Sequence, residues 1–298
     1  MNLTLHERSE KLLKQRIKQL NPRDPFNFVF MGDSRGDGPN DNCYTMSGEF
    51  ELVLKKAVEL NPLFIIHGGD TVYTGKKEYL EHFVKVVEKI APNIPMFVCV
   101  GNHDELNLEE SNLENFRATI GKVHWVIDIP VFNFRCIALN NIISPKNKIY
   151  GFTDRELNYL EQQLENAPRN TVLAMHAQPN IGRWSDLGGF PVTTPQSQRF
   201  FDLIQEHHVK KVLVSHVHAY DEQFIRKNRN GSFTLGRGTD FVLSGGAGAP
   251  LDFEPPLILN NYNFTEFFVS RYDILGLFFG RILDGLEENV CKNKKVES

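Results

Sequence analysis

Residues 211–220 read KVLVSHVHAY, in which a short apolar run ends in serine and is followed by histidines at positions 216 and 218. Similar runs recur along the chain: FNFVFM precedes GDSR, PLFIIH precedes GGDTVY, PMFVCV precedes GNHD, and TVLAM precedes HAQP. Stretches with helical periodicity separate these runs, such as KKEYLEHFVKVVEKIA at 76–91. Apolar strands that alternate with helices predict a parallel sheet whose strands are buried on both faces.

Each of these five apolar runs is followed by side chains that can bind a metal. In open α/β sheets, sites form just outside the carboxyl ends of the strands, so we expect these side chains at one edge. In His-x-His on an extended segment, both imidazoles point the same way. Imidazole and carboxylate ligands suit Zn, Fe or Mn, and a set of this size fits two metal ions that share a bridging carboxylate. The candidate ligands are Asp33, Asp70, Asn102, His176, His216 and His218.

The other histidines do not follow this pattern, and we expect them to be structural. They are His6, His67, His82, His124, His207 and His208, apart from His103 of the GNHD segment.

Composition narrows the class of protein. The 298 residues carry 33 Lys and Arg against 37 Asp and Glu, a net charge of −4, which argues against a nucleic-acid substrate. Cys43, Cys99, Cys136 and Cys291 are far apart without a CxxC pair, which argues against a disulfide scaffold and fits a reduced, cytoplasmic setting. No apolar run is long enough to span a bilayer, and the first residues lack the apolar core of a secretory signal.

The chain is interpreted as one domain with two short extensions. Residues 1–25 form an N-terminal helical extension, whose narrow apolar stripe favours packing on the domain over a partner or a membrane surface. The domain covers 26–285, with a strand-rich second half that predicts a more antiparallel element. Residues 286–298 form a C-terminal tail.

The segments GDSR, GGDTVY, GNHD, MH and SHVH, between Asp33 and His218, resemble the motifs of the calcineurin-like metallophosphoesterase family. That pattern is D-x-H, G-D-x-x, G-N-H-D/E, H and G-H-x-H. The resemblance implies an α/β fold, a four-layer α-β-β-α sandwich of two mixed β-sheets flanked by helices. It also implies a hydrolase that cleaves phosphomonoesters or phosphodiesters by in-line attack of a hydroxide bridging two metal ions of iron, manganese or zinc.

The resemblance also implies roles for single residues. Asp33, Asp70 and His218 would bind the first metal ion, and Asp70 would bridge to the second. His103 would protonate the leaving group, oriented by Asp104 or another carboxylate. Asn102 would help to bind the phosphoryl group. The ligands of the second ion would be Asp70, Asn102, His176 and His216.

Two positions depart from the family pattern. Arg35 stands where the family usually has a metal-binding histidine, and arginine does not ligate metals. Either one metal site is weakened or another residue substitutes. Asp70-x-x-Tyr73 resembles the motif of purple acid phosphatases, in which a tyrosinate binds ferric iron, so Tyr73 is a candidate ligand; the alternative is that it packs beside the sheet. Arg35 would then be free to bind a phosphate oxygen. Ser215 stands where the family pattern has a glycine, and because serine is also small, we expect little effect on the site.

The loops around the site determine which substrate binds, and we expect that substrate to be a small phosphoester or a phosphoprotein. Loops 36–47 and 177–195 flank ligand positions, and Arg183, Trp184 and Phe190 either meet the leaving group or cover the sheet. The glycine-rich segment 244–250 predicts a tight turn near the site rather than a nucleotide loop. The alternative function is a catalytically weak or inactive binding protein that keeps the fold. A metallohydrolase with an early H-x-H-x-D-H motif is disfavoured, since that motif is absent.

Overall fold

The structure, a computed structural model, describes residues 3–40, 42–105, 113–251 and 261–280. Within these ranges the chain forms helices α1 Leu5–Ile17, α2 Gly48–Glu59, α3 Lys77–Ile90, α4 Glu114–Thr119, α5 Asp154–Leu164 and α6 Pro195–Glu206.

The strands of the first half are β1 Phe26–Met31, β2 Ile65–His67, β3 Met96–Val98, β4 Val126–Ile129, β5 Phe134–Ala138, β6 Ile142–Ser144 and β7 Ile149–Tyr150. Those of the second half are β8 Asn170–Ala174, β9 Pro179–Asn180, β10 Phe190–Pro191, β11 Lys211–Val214, β12 Tyr220–Lys227, β13 Phe233–Leu235, β14 Thr239–Ser244, β15 Phe264–Val269 and β16 Ile274–Phe279.

Two mixed sheets organise the molecule. The first sheet has the order β16-β15-β1-β2-β3, in which β1, β2 and β3 are parallel and β15 runs antiparallel to β1. The second has the order β13-β12-β14-β11-β8-β5-β4, in which β14, β11, β8 and β5 are parallel and both flanks are antiparallel. The sequence pattern alone predicted a parallel sheet and a second, more antiparallel element. In the structure the five apolar runs are instead divided between two sheets, each with parallel strands and antiparallel neighbours.

Three apolar layers hold the sheets and helices together. One lies between the first sheet and α2 and α3, one lies between the two sheets, and one lies between the second sheet and α5 and α6. Alternate residues of a strand pack in different layers. Val29 faces the helices, whereas Phe28 and Phe30 face the other sheet. The four-layer α-β-β-α sandwich implied by the family resemblance is therefore confirmed.

Aromatic rings fill the layer between the sheets. Phe28 of β1 is fully buried, with its ring centroid 5.1 Å from that of Phe64 and 4.9 Å from that of Phe267. Phe134 of the second sheet lies 5.6 Å away by the same measure. These contacts join β1, β15 and β5 across the sandwich, so this cluster sets how the two sheets face each other.

Side chains of serine and threonine define where most helices begin. Thr4, Ser47, Thr153 and Thr194 each precede a helix and accept a hydrogen bond from a backbone N–H of its first turn. Such caps satisfy amides that have no partner within the helix, typically worth about 1 kcal/mol each.

Helix α1 packs against the edge strand β3. The Ser9 hydroxyl donates to the Met96 carbonyl at 2.8 Å and accepts from its amide at 2.9 Å. His6 Nε2 accepts from the Val98 amide, and Leu5 and Leu13 are buried. The helix therefore covers a sheet edge, in agreement with the expectation that it packs on the domain.

The cysteines differ from the expected reduced state at one position. Cys99 and Cys136 are free and buried, whereas Cys43 is disulfide-bonded. In the described ranges, every helix is too short or too polar to cross a bilayer. The domain end at 285 and the tail 286–298 lie outside the described residues.

We expect Phe28→Ala to lower the free energy of unfolding by about 3–5 kcal/mol, because it removes a fully buried ring from the inter-sheet layer. Phe224→Ala is the matched control, since Phe224 on β12 is 42% exposed, and we expect less than about 1 kcal/mol there. Urea unfolding followed by tryptophan fluorescence measures both. Equal losses in the two variants would contradict this role of the Phe28 ring.

Candidate metal centre

All six predicted ligands lie just beyond the carboxyl ends of parallel strands. Three come from the first sheet, Asp33, Asp70 and Asn102 after β1, β2 and β3; three come from the second, His176 after β8 and His216 and His218 after β11.

The backbone at three of these ligands is in the left-handed region. Its φ is 61° at Asp33, 55° at Asp70 and 73° at His216. For residues other than glycine this costs about 1–3 kcal/mol each and persists only where the surroundings impose it. Such strain concentrates at functional sites. The left-handed backbone directs the side chain differently from the extended backbone of a regular strand end.

A close contact between the two sheets brings the ligands together. A Cβ atom added to Gly32 would lie 2.5 Å from the Ser215 Cβ, and one added to Gly68 would lie 2.5 Å from the Ser215 hydroxyl. That hydroxyl donates to the Gly68 carbonyl at 2.8 Å. Only glycine fits at positions 32 and 68, and Ser215 occupies the space that the two missing side chains leave.

The proposed ligands of the second metal ion form a tight cluster. His176 Nε2 lies 3.1 Å from Asn102 Oδ1, 3.2 Å from His216 Nδ1 and 3.5 Å from Asp70 Oδ1. Ligand atoms that bind one ion at about 2.0–2.1 Å are separated by about 3.0–3.4 Å, so these spacings fit a transition-metal ion. The Asp70, His176 and His216 ligand atoms all lie within 4.8 Å of one another.

The proposed ligands of the first ion are also adjacent. His218 Nε2 lies 3.7 Å from Asp33 Oδ1, and both side chains are buried. Asp33 Oδ1 is a buried oxygen without a hydrogen-bond donor among the described residues, whereas its Oδ2 accepts from the His216 amide at 2.8 Å. A buried carboxylate oxygen that lacks a donor is expensive unless a cation satisfies it, so this atom fits a metal ligand.

Backbone carbonyls fix the orientation of two imidazoles. The Nδ1–H of His176 donates to the Gly68 carbonyl at 2.9 Å, and that of His218 donates to the Pro250 carbonyl at 2.6 Å. Each Nε2 lone pair is then left for the site, as is usual for metal-binding histidines. Pro250 ends the glycine-rich segment, and a Cβ on Gly245 would lie 2.8 Å from Asp33 Oδ2, so the predicted turn near the site is confirmed.

Asp104 has a different role from the one expected. Its carboxylate accepts from the amides of Gly101, Asp70 and Thr71, and it also accepts from the Thr71 hydroxyl. It therefore joins the loops after β2 and β3. His103 is instead oriented by a backbone group, because its Nδ1–H donates to the Tyr73 carbonyl at 2.7 Å. The suggestion that Asp104 orients His103 is wrong.

Arg35 and Tyr73 lie side by side next to the bridging position. The Arg35 Nε is 3.8 Å from Asp70 Oδ2, and its guanidinium carbon is 5.8 Å from the centre of the Tyr73 ring. Tyr73 is half-buried; its ring centroid lies 5.2 Å from that of His103, and Gly38 packs directly on its hydroxyl end. Arg35 and Tyr73 thus occupy the region that the missing motif histidine would reach.

Burial and neighbouring charges set the pKa values of the two carboxylates in opposite directions. Burial raises the pKa of Asp33 to about 6, against the opposing influence of His176 and His218. Burial also acts to raise the pKa of Asp70, but His176 and His103 together hold the pKa of that carboxyl below its usual value. Asp70 is therefore the stable anion of the pair, as a bridging ligand needs to be.

Burial also lowers the pKa of two imidazoles at the site, those of His216 and His103. It lowers the pKa of His216 to about 3, with a further contribution from His176. The pKa of His103 is lowered by burial as well, although the charge of Asp70 acts to raise it. A neutral His216 offers its Nδ1 lone pair as a ligand without first losing a proton.

The loop 177–195 is tied to the second sheet. Trp184 is fully buried and its indole N–H donates to Asp221 Oδ2 at 2.8 Å, while Arg183 holds both oxygens of that carboxylate. Phe190 is buried in the outer layer with α5 and α6. Of the two alternatives for these residues, the structure supports covering of the sheet.

His67 has the structural role expected of it. It is fully buried, its Nδ1 accepts from the Gly69 amide, and its Nε2 contacts the Ser34 hydroxyl at 3.0 Å.

Tyr150 is a site residue that the sequence did not reveal. It lies on β7, which pairs with β6 in a short two-stranded sheet, and its ring centroid is 4.7 Å from that of His216. No motif spacing marks this tyrosine, because a hairpin outside the two large sheets carries it to the site.

Metal affinity should depend on pH through Asp33. A metal ion must displace the proton that burial keeps on Asp33 up to a pKa of about 6, whereas His216, with a pKa of about 3, offers no such competition. We expect the affinity of the first-metal position for Mn²⁺ to rise about tenfold per pH unit up to pH about 6 and then to level off. Calorimetric titration between about pH 5 and 7 measures it. Asp33→Asn should remove this dependence, and a wild-type affinity that is constant across that range would contradict the expectation.

Comparisons with known proteins agree with this geometry. The model of the calcineurin-like phosphoesterase family matches residues 26–220, which include every proposed ligand. A curated relative from Arcobacter nitrofigilis, named probable glycerophosphodiester phosphodiesterase GpdQ, is 29% identical over 121 residues. That match covers 40% of this chain and 43% of the relative, so the chain spans less than half of the relative's length.

Solved structures show the same fold. The purple acid phosphatase PPD1 of yellow lupin aligns with a TM-score of 0.64 at 18% identity, covering 86% of this chain and 51% of that protein. GAP50, described as the anchor in the inner membrane complex of Plasmodium, aligns with a TM-score of 0.56 at 10% identity, covering 86% and 85%. At such identities the likeness concerns the fold, whereas the family match covers well over half of the chain. The chain belongs to the calcineurin-like phosphoesterase family.

Proposed function

We propose that the protein is a metal-dependent phosphoesterase that hydrolyses small phosphomonoesters or phosphodiesters at a dinuclear centre. The observation that carries this proposal is the convergence of Asp70, Asn102, His176 and His216 from two different sheets, with neighbouring ligand atoms 3.1–3.5 Å apart. Carboxylate, amide and imidazole atoms are the ligand types that transition-metal ions accept, and this spacing suits atoms that share one ion.

The first ion would be held by Asp33, Asp70 and His218, with Tyr73 as a further ligand, and the second by Asp70, Asn102, His176 and His216. When bound, two such ions lower the pKa of a water between them, neutralise phosphate charge and align the attacking oxygen with the leaving group. Iron, manganese and zinc all accept this mixture of carboxylate, imidazole and amide ligands.

His103 would give a proton to the leaving group. Its Nδ1–H is held by the Tyr73 carbonyl, so Nε2 is the atom that exchanges a proton at the site. Its backbone amide donates to Asp70 Oδ1 at 2.8 Å, which places the imidazole beside the bridging carboxylate. Burial lowers the pKa of His103, and the charge of Asp70 acts in the opposite direction, towards the protonated form that an acid needs.

Arg35 and Asn102 would bind the phosphoryl group. The Arg35 Nε is buried and has no hydrogen-bond acceptor in the part of the chain that the structure describes, and the partly buried Arg35 side chain lies beside Asp70. A planar guanidinium pairs well with two phosphate oxygens, which would satisfy that N–H. The amide of Asn102 offers an N–H donor in addition to its ligand oxygen.

Two features bear on the substrate. The net charge of −4 gives no general attraction for a nucleic-acid backbone, which favours a small phosphoester or a phosphoprotein. The names of the relatives include both a phosphodiesterase and a phosphatase, so both ester classes belong in the test.

We expect Mn²⁺-loaded wild-type protein to hydrolyse p-nitrophenyl phosphate, its bis ester, or both, and His216→Ala to lower the rate by more than about 100-fold. The physical reason is that the substitution removes one of four clustered ligands. Release of p-nitrophenol measures the rate, and the preferred ester identifies the class.

Two further variants sharpen this test. His103→Asn should keep the bound metal and lose about 10²–10⁴-fold in rate, because it removes only the proton donor. His82→Ala is the matched control, since His82 is an exposed residue of α3. Metal binding by the wild type without turnover of either ester would instead favour a binding protein that keeps the fold without the activity.

A separate variant tests Tyr73 as a ligand. If Tyr73 binds the first ion, Tyr73→Phe should lower the affinity for Fe³⁺ by more than about tenfold and abolish any visible absorption of the iron-loaded protein. Tyr44→Phe is the control for packing, since its ring lies edge-on to Tyr73 at 5.7 Å. Unchanged iron affinity in Tyr73→Phe would mean that Tyr73 only packs beside the sheet.

A further inference from the structure

Asn141 is a fully buried residue between β5 and β6 that bonds to the segment carrying His176. Its side-chain Nδ2 donates to the Ala177 carbonyl at 2.7 Å, and its Oδ1 accepts from the Ala177 amide at 3.1 Å. Ala177 is also fully buried, and it directly follows His176 in the chain. One side chain therefore satisfies both backbone groups of the residue next to a proposed metal ligand.

This pair of hydrogen bonds begins where the pairing of β5 with β8 ends. The two strands are parallel up to Ala138 and Ala174, and the Leu139 amide donates once more to the Ala174 carbonyl. Beyond that point the chain turns towards β6, and the side chain of Asn141 makes two bonds to the segment after β8. An asparagine side chain can do this because its amide has a donor and an acceptor, as a peptide group has.

The backbone at His176 is thus held from both neighbouring strands. On one side the amide of Ser215, just after β11, donates to the His176 carbonyl at 2.8 Å. On the other side Asn141 holds the next residue, Ala177. Since the Nδ1–H of His176 is bonded to the Gly68 carbonyl, the position of its Nε2 depends on where this backbone lies.

The backbone of Asn141 also supports the surroundings of the second imidazole in the cluster. Its carbonyl accepts from the Gly151 amide at 2.9 Å, and Gly151 follows Tyr150, whose ring packs on His216. The segment at Asn141 therefore connects to the neighbours of both His176 and His216, which come from different strands. Ligands of one ion must be held to within about 0.5 Å, so supports of this kind affect how well an ion fits.

Asn141 differs in role from Asn102. Asn102 Oδ1 lies 3.1 Å from His176 Nε2 and is a proposed ligand, whereas both polar atoms of the Asn141 side chain are bonded to Ala177. Any effect of Asn141 on a metal ion therefore acts through His176. Residues that orient a ligand typically change metal affinity by about 10–100-fold when they are replaced.

We propose that Asn141 is a positioning residue of the second metal site, whose side-chain amide fixes the Ala177 backbone and thereby places His176 Nε2 beside Asn102 and His216. The proposal rests on the proposed function, since it concerns the same centre. Asn141 contacts neither the substrate nor the reacting atoms.

The test compares Asn141→Ala with Asn170→Ala. Asn170 is the matched control, because it is also fully buried and its Nδ2 also makes two bonds to backbone, to the carbonyls of Phe132 and Ser270. It begins β8, the strand that ends just before His176, so it lies at the end of this strand away from the metal centre. Calorimetric titration with Mn²⁺ measures affinity, and the binding event that His216→Ala removes identifies the second position.

We expect both variants to lower the unfolding temperature of the metal-free protein by a few degrees, because each leaves buried backbone groups without their partner. Only Asn141→Ala should weaken Mn²⁺ binding at the second position, by about 10–100-fold, and it should leave the first position unchanged. Visible absorption of Co²⁺-loaded protein should change in Asn141→Ala alone, because this absorption follows the geometry of the ligands.

A milder substitution covers the case in which Asn141→Ala does not fold. Asn141→Ser keeps a small polar group at the position, and we expect it to weaken Mn²⁺ binding at the second position by a smaller factor than Asn141→Ala.

Two results would overturn the proposal. The first is Mn²⁺ affinity at the second position that is equal in the wild type and the folded Asn141 variants, including no binding by any of them. The second is an equal loss of affinity in Asn141→Ala and Asn170→Ala, because stability alone would then explain it. If the wild type binds Mn²⁺ in an Asn141-dependent way yet hydrolyses neither ester, the proposed function fails and the assignment of Asn141 stands.

Discussion

The close approach of Ser215 to Gly32 and Gly68 is the contact on which the rest of the site depends. It is the point where the end of β11 in the second sheet enters the space between β1 and β2 of the first, and any side chain at position 32 or 68 would prevent it. The Ser215 hydroxyl then bonds to the Gly68 carbonyl, which also accepts from His176 Nδ1. One carbonyl thus fixes both the spacing of the sheets and the orientation of a ligand.

This arrangement is accompanied by backbone strain in the residues just beyond the contact. Asp33, Asp70 and His216 all adopt left-handed conformations, which regular strand ends avoid. They are held there by bonds between the loops: Asp33 accepts from the His216 amide, and Asp104 accepts from the amide of Asp70.

The departures from the family pattern are also concentrated in one place. Arg35 and Tyr73 lie together beside Asp70, and Arg35 stands at the sequence position of the usual motif histidine. The second-metal cluster, by contrast, has every family ligand in place. Two proposals can therefore be tested separately: Tyr73 as a ligand of the first ion, and Arg35 as a phosphate-binding residue.

The sequence by itself indicated the candidate ligands and their order, because a short apolar run followed by a polar turn is a local pattern that strand burial imposes. It also indicated the helices, whose serine and threonine caps and apolar periodicity are local as well. It did not reveal that the runs divide between two sheets, since buried strands of both sheets have the same composition on both faces. Nor could it assign Asp104 to the loops, Trp184 to the core or Tyr150 to the site. These roles depend on residues that are far apart in the chain, and only the packing of one sheet on the other decides which of them meet.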